Sequence, residues 1–170
     1  MSDASPRNLT IRLALNEDAE ALARIYNHYI RETIITFEEE PLSVRDMESR
    51  IERVRAIPLP WLVAQVGNQI VGYAFAKPWK ERSAYRFSTE TSVFVDPDHR
   101  RRGIGSRLYQ KLVHELRGLG VHSAIGGIAL PNEASVALHE ALGFKRVAEF
   151  HEVGFKFQKW IDVGYWQKIL

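Results

Sequence analysis

Three groups of side chains in this chain of 170 residues have the types and spacing to do chemistry. The first is Arg100-Arg101-Arg102-Gly103-Ile104-Gly105-Ser106. It follows an alternating strand that stops at Asp96-Pro97 and opens into a helix from Ile104, with Leu108, Leu112 and Leu116 at four-residue spacing. Glycine at 103 and 105 lets the backbone approach a ligand, and a helix start leaves N–H groups unpaired with the positive end of the macrodipole behind them. Together they suit a pyrophosphate. A solvated basic loop before an ordinary helix is the plainer alternative. The two commoner phosphate fingerprints are absent: no Lys-Ser/Thr follows a GxxxxG, and Leu108 stands where a third dinucleotide-binding glycine would fall.

The second group is Glu90, in the strand run Thr89-Glu90-Thr91, three residues before Val93. Its carboxylate could accept a proton, although most strand glutamates only face solvent. The third is Asn132, Ser135 and His139 at i, i+3 and i+7, one face of a helix. An imidazole with a reference pKa of about 6.5 suits proton exchange near neutrality. A histidine packed beneath the helix, and an asparagine that only caps it, would give the same pattern.

The rest of the composition bounds what these groups can serve. The chain has one domain's worth of residues, with residues 1–8 expected to be a flexible N-terminus and 9–170 a single domain. Hydrophobic content of 45% and charged content of 26% are those of a globular protein. No segment approaches the roughly eighteen apolar residues of a membrane span, and the N-terminus lacks the apolar stretch of a signal peptide, so no membrane partner and a cytoplasmic location are expected. The absence of cysteine excludes disulfides, Cys-ligated zinc and an acyl-cysteine intermediate. A net charge of +2, interleaved with acids except at Arg100 to Arg102, gives no case for nucleic acid. No HExxH occurs among the histidines, and no metal is expected.

The elements that must position these groups read in order. Leu9 to Ala14 alternates as a strand, Asn16 is a candidate N-cap, and Leu22, Ile25, Tyr26 and Tyr29 make the buried stripe of a first helix. Arg31 to Pro41 reads as a loop. Ser43 with Asp46 resembles a capping box for a helix whose apolar face is Val44, Met47, Ile51 and Val54. Trp61 to Val66 and Gln69 to Ala76 are strands joined at Gly67-Asn68, both tolerant of positive φ. After the central strand and long helix, His122 to Ala129 is a strand whose Gly126-Gly127 suggests a bulge or close approach. Glu133 to Leu142 is a helix ended by Gly143, and Arg146 to Phe157 and Val163 to Ile169 are the last strands. This order predicts an α/β layer architecture: a mixed, mostly antiparallel, twisted sheet flanked by about four helices.

Arg100-x-x-Gly103-x-Gly105 between strand and helix resembles the coenzyme A loop of the GNAT N-acetyltransferases, and the element order matches that fold over nearly the whole chain. IYNHYI at 25 to 30, TFEEEP at 36 to 41, GYAFA at 72 to 76, AYRFSTETSVFV at 84 to 95, SVALHEALGF at 135 to 144 and VGFKFQKWIDVGYWQ at 153 to 167 narrow the resemblance to the phosphinothricin N-acetyltransferase family. One departure is Arg101, where many relatives carry glycine.

The resemblance implies transfer of acetyl from acetyl-CoA to the amine of a small amino acid such as phosphinothricin, methionine sulfoximine or methionine sulfone, an activity that confers resistance to such compounds. It implies that Arg100, Arg101, Arg102, Gly103, Ile104, Gly105 and Ser106 hold the pyrophosphate, that the backbone of Val93, Phe94 and Val95 pairs with the pantetheine arm, and that Asn132 and Ser135 contact the cofactor. Glu90 then matches the family's base and His139 a helper acid for the departing thiolate. Thr36, Phe37, Arg82, Ser83, Ala84 and Tyr85 match its acceptor-binding runs, Lys156 and Trp160 fall in a family-like run with a core or dimer role for Trp160, and a homodimer is expected. Two alternatives stay open: acetylation of a polyamine or protein N-terminus, and a non-catalytic acetyl-CoA-binding module.

Overall fold

The computed structural model describes residues 8–170, so the expected flexibility of residues 1–7 lies outside the described residues. Seven strands form one sheet in the order β1-β2-β3-β4-β5-β7-β6. They are β1 (Leu9–Leu13), β2 (Trp61–Val66), β3 (Gln69–Pro78), β4 (Ser88–Val95), β5 (Ser123–Leu130), β6 (Lys145–Lys156) and β7 (Lys159–Ile169). The helices are α1 (Ala19–Glu32), α2 (Val44–Arg55), α3 (Ile104–Gly118) and α4 (Glu133–Ala141). Every pairing is antiparallel except β4 with β5.

The near-continuous apolar run of β2 follows from having both faces covered. Trp61 and Val63 pack with Leu22, Ile25, Tyr26, Met47 and Ile51 of α1 and α2, while Leu62 and Ala64 pack with Ile104, Leu108, Leu112 and Leu116 of α3. The four α3 residues are fully buried, each stabilising the fold by about 1.5–3 kcal/mol. The α2 capping box forms as the sequence indicates, with Ser43 Oγ accepting from Asp46 N at 3.1 Å and Asp46 Oδ2 accepting from Ser43 N at 3.0 Å. Among the described residues no helix is long and apolar enough to cross a membrane.

Several boundaries differ from the sequence reading for local reasons. Asn16 does not cap α1; it lies in a 3-10 turn and donates to Glu52, while Asp18 precedes the helix, accepts the Leu15 N–H and pairs with Arg12. At the β2–β3 turn only Gly67 has positive φ, +58°. β7 begins four residues early, at Lys159, because Phe157 and Gln158 both adopt left-handed φ and close a tight turn with β6. The Gly126-Gly127 step of β5 is a close approach, not a bulge: its register with β7 runs unbroken from Ser123 to Leu130.

The β4–β5 contact positions the site. Parallel pairing covers only Ser88–Ser123, Thr89–Ala124 and Glu90–Ile125, and beyond these three pairs the strands diverge. Parallel neighbours need a crossover, here α3, which starts at the open end of the divergence.

Candidate active site

The divergence leaves part of one strand edge unpaired. Asp96 N donates to Val71 O at 2.8 Å, and an antiparallel ladder alternates, so Glu90, Ser92 and Phe94 direct their backbone groups to β3. Thr91, Val93 and Val95 direct theirs to the β5 side. Tyr29 Oη donates to Val95 O at 2.6 Å, and the N–H and C=O of Val93, beyond the last β4–β5 pair, are open backbone groups of the cleft. At its outer end Gly103 precedes α3 with φ +71° and no side-chain cap, so the N–H groups of Ile104, Gly105 and Ser106 lack intrahelical partners; the first closing bond is Arg107 N to Gly103 O, 3.1 Å. Arg101 and Arg102 are exposed beside it, and Arg100 lies over the Tyr29 ring with Nη2 3.1 Å from His28 Nε2. An unpaired strand edge leading to a cationic helix N-terminus fits an extended amide-bearing arm with a pyrophosphate at its end.

On the opposite face of β4, Glu90, Ser92 and Phe94 turn into a cavity of about 880 Å³. Trp61, Tyr73, Phe75 and Phe94 form its aromatic floor, with ring centroids 4.7 Å apart for Trp61–Phe75 and 5.3 Å for Tyr73–Phe94. Thr36 and Phe37 line it from the α1–α2 loop, and Arg50 and Arg53 from α2. Lys77, directly across from Glu90 in the sheet, has its Nζ 3.3 Å from the Glu90 carboxylate. Arg50 grips Glu38 through two bonds of 2.8 Å. Burial works against the Glu38 charge, but these bonds and that from Tyr26 outweigh it and hold the carboxyl below its ordinary pKa.

The α1–α2 loop is held from beneath. Lys156 is 2% exposed, and its Nζ donates to Thr33 O at 2.9 Å and Thr36 O at 2.7 Å. Burial lowers its pKa in spite of Glu39 and Glu38 nearby. Phe37 lies flush on Gly154 of β6, where a Cβ would stand 2.1 Å from the ring.

His139 lies on the α3 side of the sheet, 4% exposed. Its Nδ1 is 2.7 Å from Ser135 O, a carbonyl that can only accept, so Nδ1 carries the proton and Nε2 accepts from Tyr109 Oη at 2.9 Å. Burial lowers its pKa.

With this geometry established, comparison with known proteins decides the family: the GNAT acetyltransferase domain matches residues 11–164. The chain belongs to the GNAT acetyltransferases. Phosphinothricin N-acetyltransferase of Streptomyces viridochromogenes is 40% identical over 162 residues, covering 95% of this chain and 88% of the relative. The L-methionine sulfoximine/L-methionine sulfone acetyltransferase of Salmonella typhimurium is 33% identical over 159 residues, 94% of this chain and 93% of the relative. The crystal structure of a phosphinothricin acetyltransferase from Sinorhizobium meliloti in complex with acetyl-CoA superposes with a TM-score of 0.93 at 33% identity, covering 96% and 89% of the two chains.

The acetyltransferase brings together some of the residues its sequence singles out and separates others. Glu90, Thr36 and Phe37 share the cavity, and the Arg100 to Ser106 run meets the open end of the cleft. Asn132 caps α4, accepting from Ser135 N at 3.2 Å. Arg82, Ser83, Ala84 and Tyr85 form an exposed turn outside the cavity lining. Trp160 is 62% exposed, which removes a core role. His139, expected at the cofactor thiol, has both ring nitrogens committed within the protein.

The sequence reading missed Arg50, Arg53, Lys77 and Tyr73 in the cavity wall and Tyr109 behind His139. Period-2 alternation on β3 put Tyr73 and Phe75 on the face of Trp61, and that signal was available. Nothing local marked Tyr109, an ordinary core residue of α3. His151, with no motif around it, meets Glu149 and Asp162 with ligand atoms within 4.8 Å on the β6–β7 hairpin, an exposed imidazole between two partly exposed carboxylates.

Proposed function

We propose that this acetyltransferase transfers acetyl from acetyl-CoA to the free amino group of a small amino acid of the phosphinothricin and methionine sulfoximine or sulfone type, by direct attack in a ternary complex. One observation carries the assignment: Glu90 projects into the acceptor-sized cavity from the strand whose next outward backbone groups, at Val93, stand open in the cleft. Donor and acceptor substrates thus meet across a single strand. The names of the relatives support the acceptor class.

In this mechanism the N–H groups of Ile104, Gly105 and Ser106, with Arg100, Arg101 and Arg102, hold the pyrophosphate, and Val93 pairs with the pantetheine arm and donates toward the thioester oxygen. A preorganised donor of this kind contributes about 3 kcal/mol to the barrier reduction. An α-amino group has a reference pKa of about 8 and arrives mostly protonated at neutral pH. Glu90 removes that proton directly or through one water, the amine forms the N–C bond to the acetyl carbon, the C–S bond breaks to release CoA as thiolate, and the second proton shed by the nitrogen ends on that thiolate as free CoA thiol. With no cysteine in the chain, no acyl-cysteine stage intervenes. The guanidinium groups of Arg50 and Arg53 and the Lys77 ammonium are the cavity's partners for the acceptor carboxylate. Arg82 to Tyr85 join them only when the β3–β4 connection folds over the mouth.

We also propose that the enzyme acts as a homodimer. Val147, Phe150, Val153, Phe155, Phe157 and Trp160 leave a run of half-exposed or more exposed apolar groups on the β6–β7 hairpin, at the sheet edge.

The test is release of free CoA thiol from acetyl-CoA against phosphinothricin, methionine sulfoximine, methionine sulfone, the common amino acids, a polyamine and a peptide N-terminus. Saturable release with a glutamate or methionine analogue is expected. Release with only the polyamine or peptide would overturn the acceptor class, and binding of acetyl-CoA without release on any amine would overturn the enzymatic reading.

A further inference from the structure

The point where β4 and β5 part is stitched by a chain of hydrogen bonds that crosses four elements. Thr91, one residue past the last β4–β5 pair, has its Oγ1 2.6 Å from Tyr109 Oη and 3.2 Å from the carbonyl of Ile125, the last paired residue of β5. Tyr109 Oη on α3 is in turn 2.9 Å from His139 Nε2 on α4, and His139 Nδ1 reaches Ser135 O at 2.7 Å.

Proton counting orders the chain. The Ser135 carbonyl takes the Nδ1 proton, so Nε2 must accept, and the single Tyr109 hydroxyl proton goes to it. Thr91 then shares its one proton between the Tyr109 oxygen and the Ile125 carbonyl. No hydroxyl proton is left for another acceptor. The imidazole also lies against β5 itself: a Cβ on Gly126 would sit 2.2 Å from Nε2, so the strand approaches as closely as it does only because residue 126 is glycine. Phe144 and Tyr109 pack on the ring at centroid distances of 5.3 and 4.9 Å.

We propose that Thr91, Tyr109 and His139 form a strut that sets how far β4 and β5 open for the acetyl-CoA arm, Thr91 and Tyr109 being positioning residues and His139 acting through them rather than as the acid for the thiolate. The Thr91 hydroxyl ties β4 to the Ile125 carbonyl, where the parallel ladder ends, and the imidazole wedges α4 against β5 one residue beyond it. The strands therefore part at a fixed residue, and Val93 opens two residues later. Burial agrees with this role. It raises the pKa of Tyr109 and lowers that of His139, and the geometry commits both protons, the phenol's to Nε2 and that of Nδ1 to the Ser135 carbonyl.

The inference rests on the acetyl-transfer reading, and the two fail differently. If wild-type protein releases no CoA on any amine, the reaction is wrong, while acetyl-CoA binding measured by calorimetry without acceptor still reports on the strut. The variants are Thr91→Val and Tyr109→Phe, which keep shape and remove one hydroxyl each, together with His139→Gln. Weakening of acetyl-CoA binding by about tenfold in Tyr109→Phe, with a smaller change in kcat and in the acceptor KM, is expected from losing the bonds that define the cleft. The pH dependence of kcat in His139→Gln should keep the wild-type shape. Unchanged acetyl-CoA affinity in both hydroxyl variants would overturn the strut. Loss of the alkaline limb of the pH profile in His139→Gln would overturn it as well, by making His139 the acid.

Discussion

The two faces of β4 do opposite things with the same strand. On one, Glu90, Ser92 and Phe94 border a cavity of about 880 Å³ whose polar groups include cations with room for a ligand. On the other, Thr89 and Thr91 are nearly fully buried, and the hydroxyl of Thr91 is spoken for by Tyr109 and Ile125. The open face suits the proposed chemistry because its charged groups are only partly paired. The closed face carries geometry because its polar groups are all paired, and an unpaired buried hydroxyl would cost about 1–3 kcal/mol. Alternation along the strand, a period of two, is what lets one short segment do both.

The comparison can be broken most sharply at Glu90. Glu90→Gln should lower kcat at saturating substrates and neutral pH by at least about a hundredfold, with acetyl-CoA affinity nearly unchanged; a fall of less than about threefold would remove Glu90 as the base. Next comes the cradle. Gly103 sits at φ +71°, where a β-branched residue is strongly disfavoured, so Gly103→Val should raise the acetyl-CoA KM by about tenfold or more, and an unchanged KM would detach this turn from the cofactor.

A smaller effect, confined to the open face, is expected at Lys156, which holds the loop carrying Thr36 and Phe37. Lys156→Met should raise the acceptor KM by about fivefold while leaving the acetyl-CoA KM alone, because the bonds lost are to that loop's backbone. Equal shifts in both would show that the loop does not belong to the acceptor alone. The smallest concerns Arg101, held at φ +59° without glycine's freedom. Arg101→Gly should raise stability by about 1 kcal/mol, a gain of roughly 2–4 °C in Tm by thermal melt, as strain is relieved. A loss of stability would mean that the arginine side chain contributes more than its backbone costs.

The legible parts of the molecule were those written in local pattern. The α3 stripe, the Ser43–Asp46 box and the Gly143 stop are decided by residues within a turn or two of one another, and the Arg100 to Ser106 turn is legible for the same reason. Glu90 could be placed on its strand, but the cavity it enters is made by α2 and β3, whose Arg50 and Lys77 lie far away in sequence. The Thr91–Tyr109–His139 chain links residues 18 and 30 positions apart, and neither helix pattern hints at it. His139 was found as a residue of interest from its helix face. Its local pattern could not choose between a helper acid and a packed histidine, because burial and hydrogen-bond partners, which decide protonation, are tertiary facts. Arg82 to Tyr85 carry the family run, yet local sequence does not say whether the turn bearing them covers the cavity.

The division of labour across β4 is tested most directly by measuring kcat, the two KM values and acetyl-CoA affinity side by side in Glu90→Gln and Tyr109→Phe. A double dissociation is predicted: the first variant loses turnover and keeps acetyl-CoA binding, and the second weakens acetyl-CoA binding and keeps most of its turnover. Turnover and acetyl-CoA affinity falling together in both variants would contradict it, and would mean that the two faces of the strand act as one site.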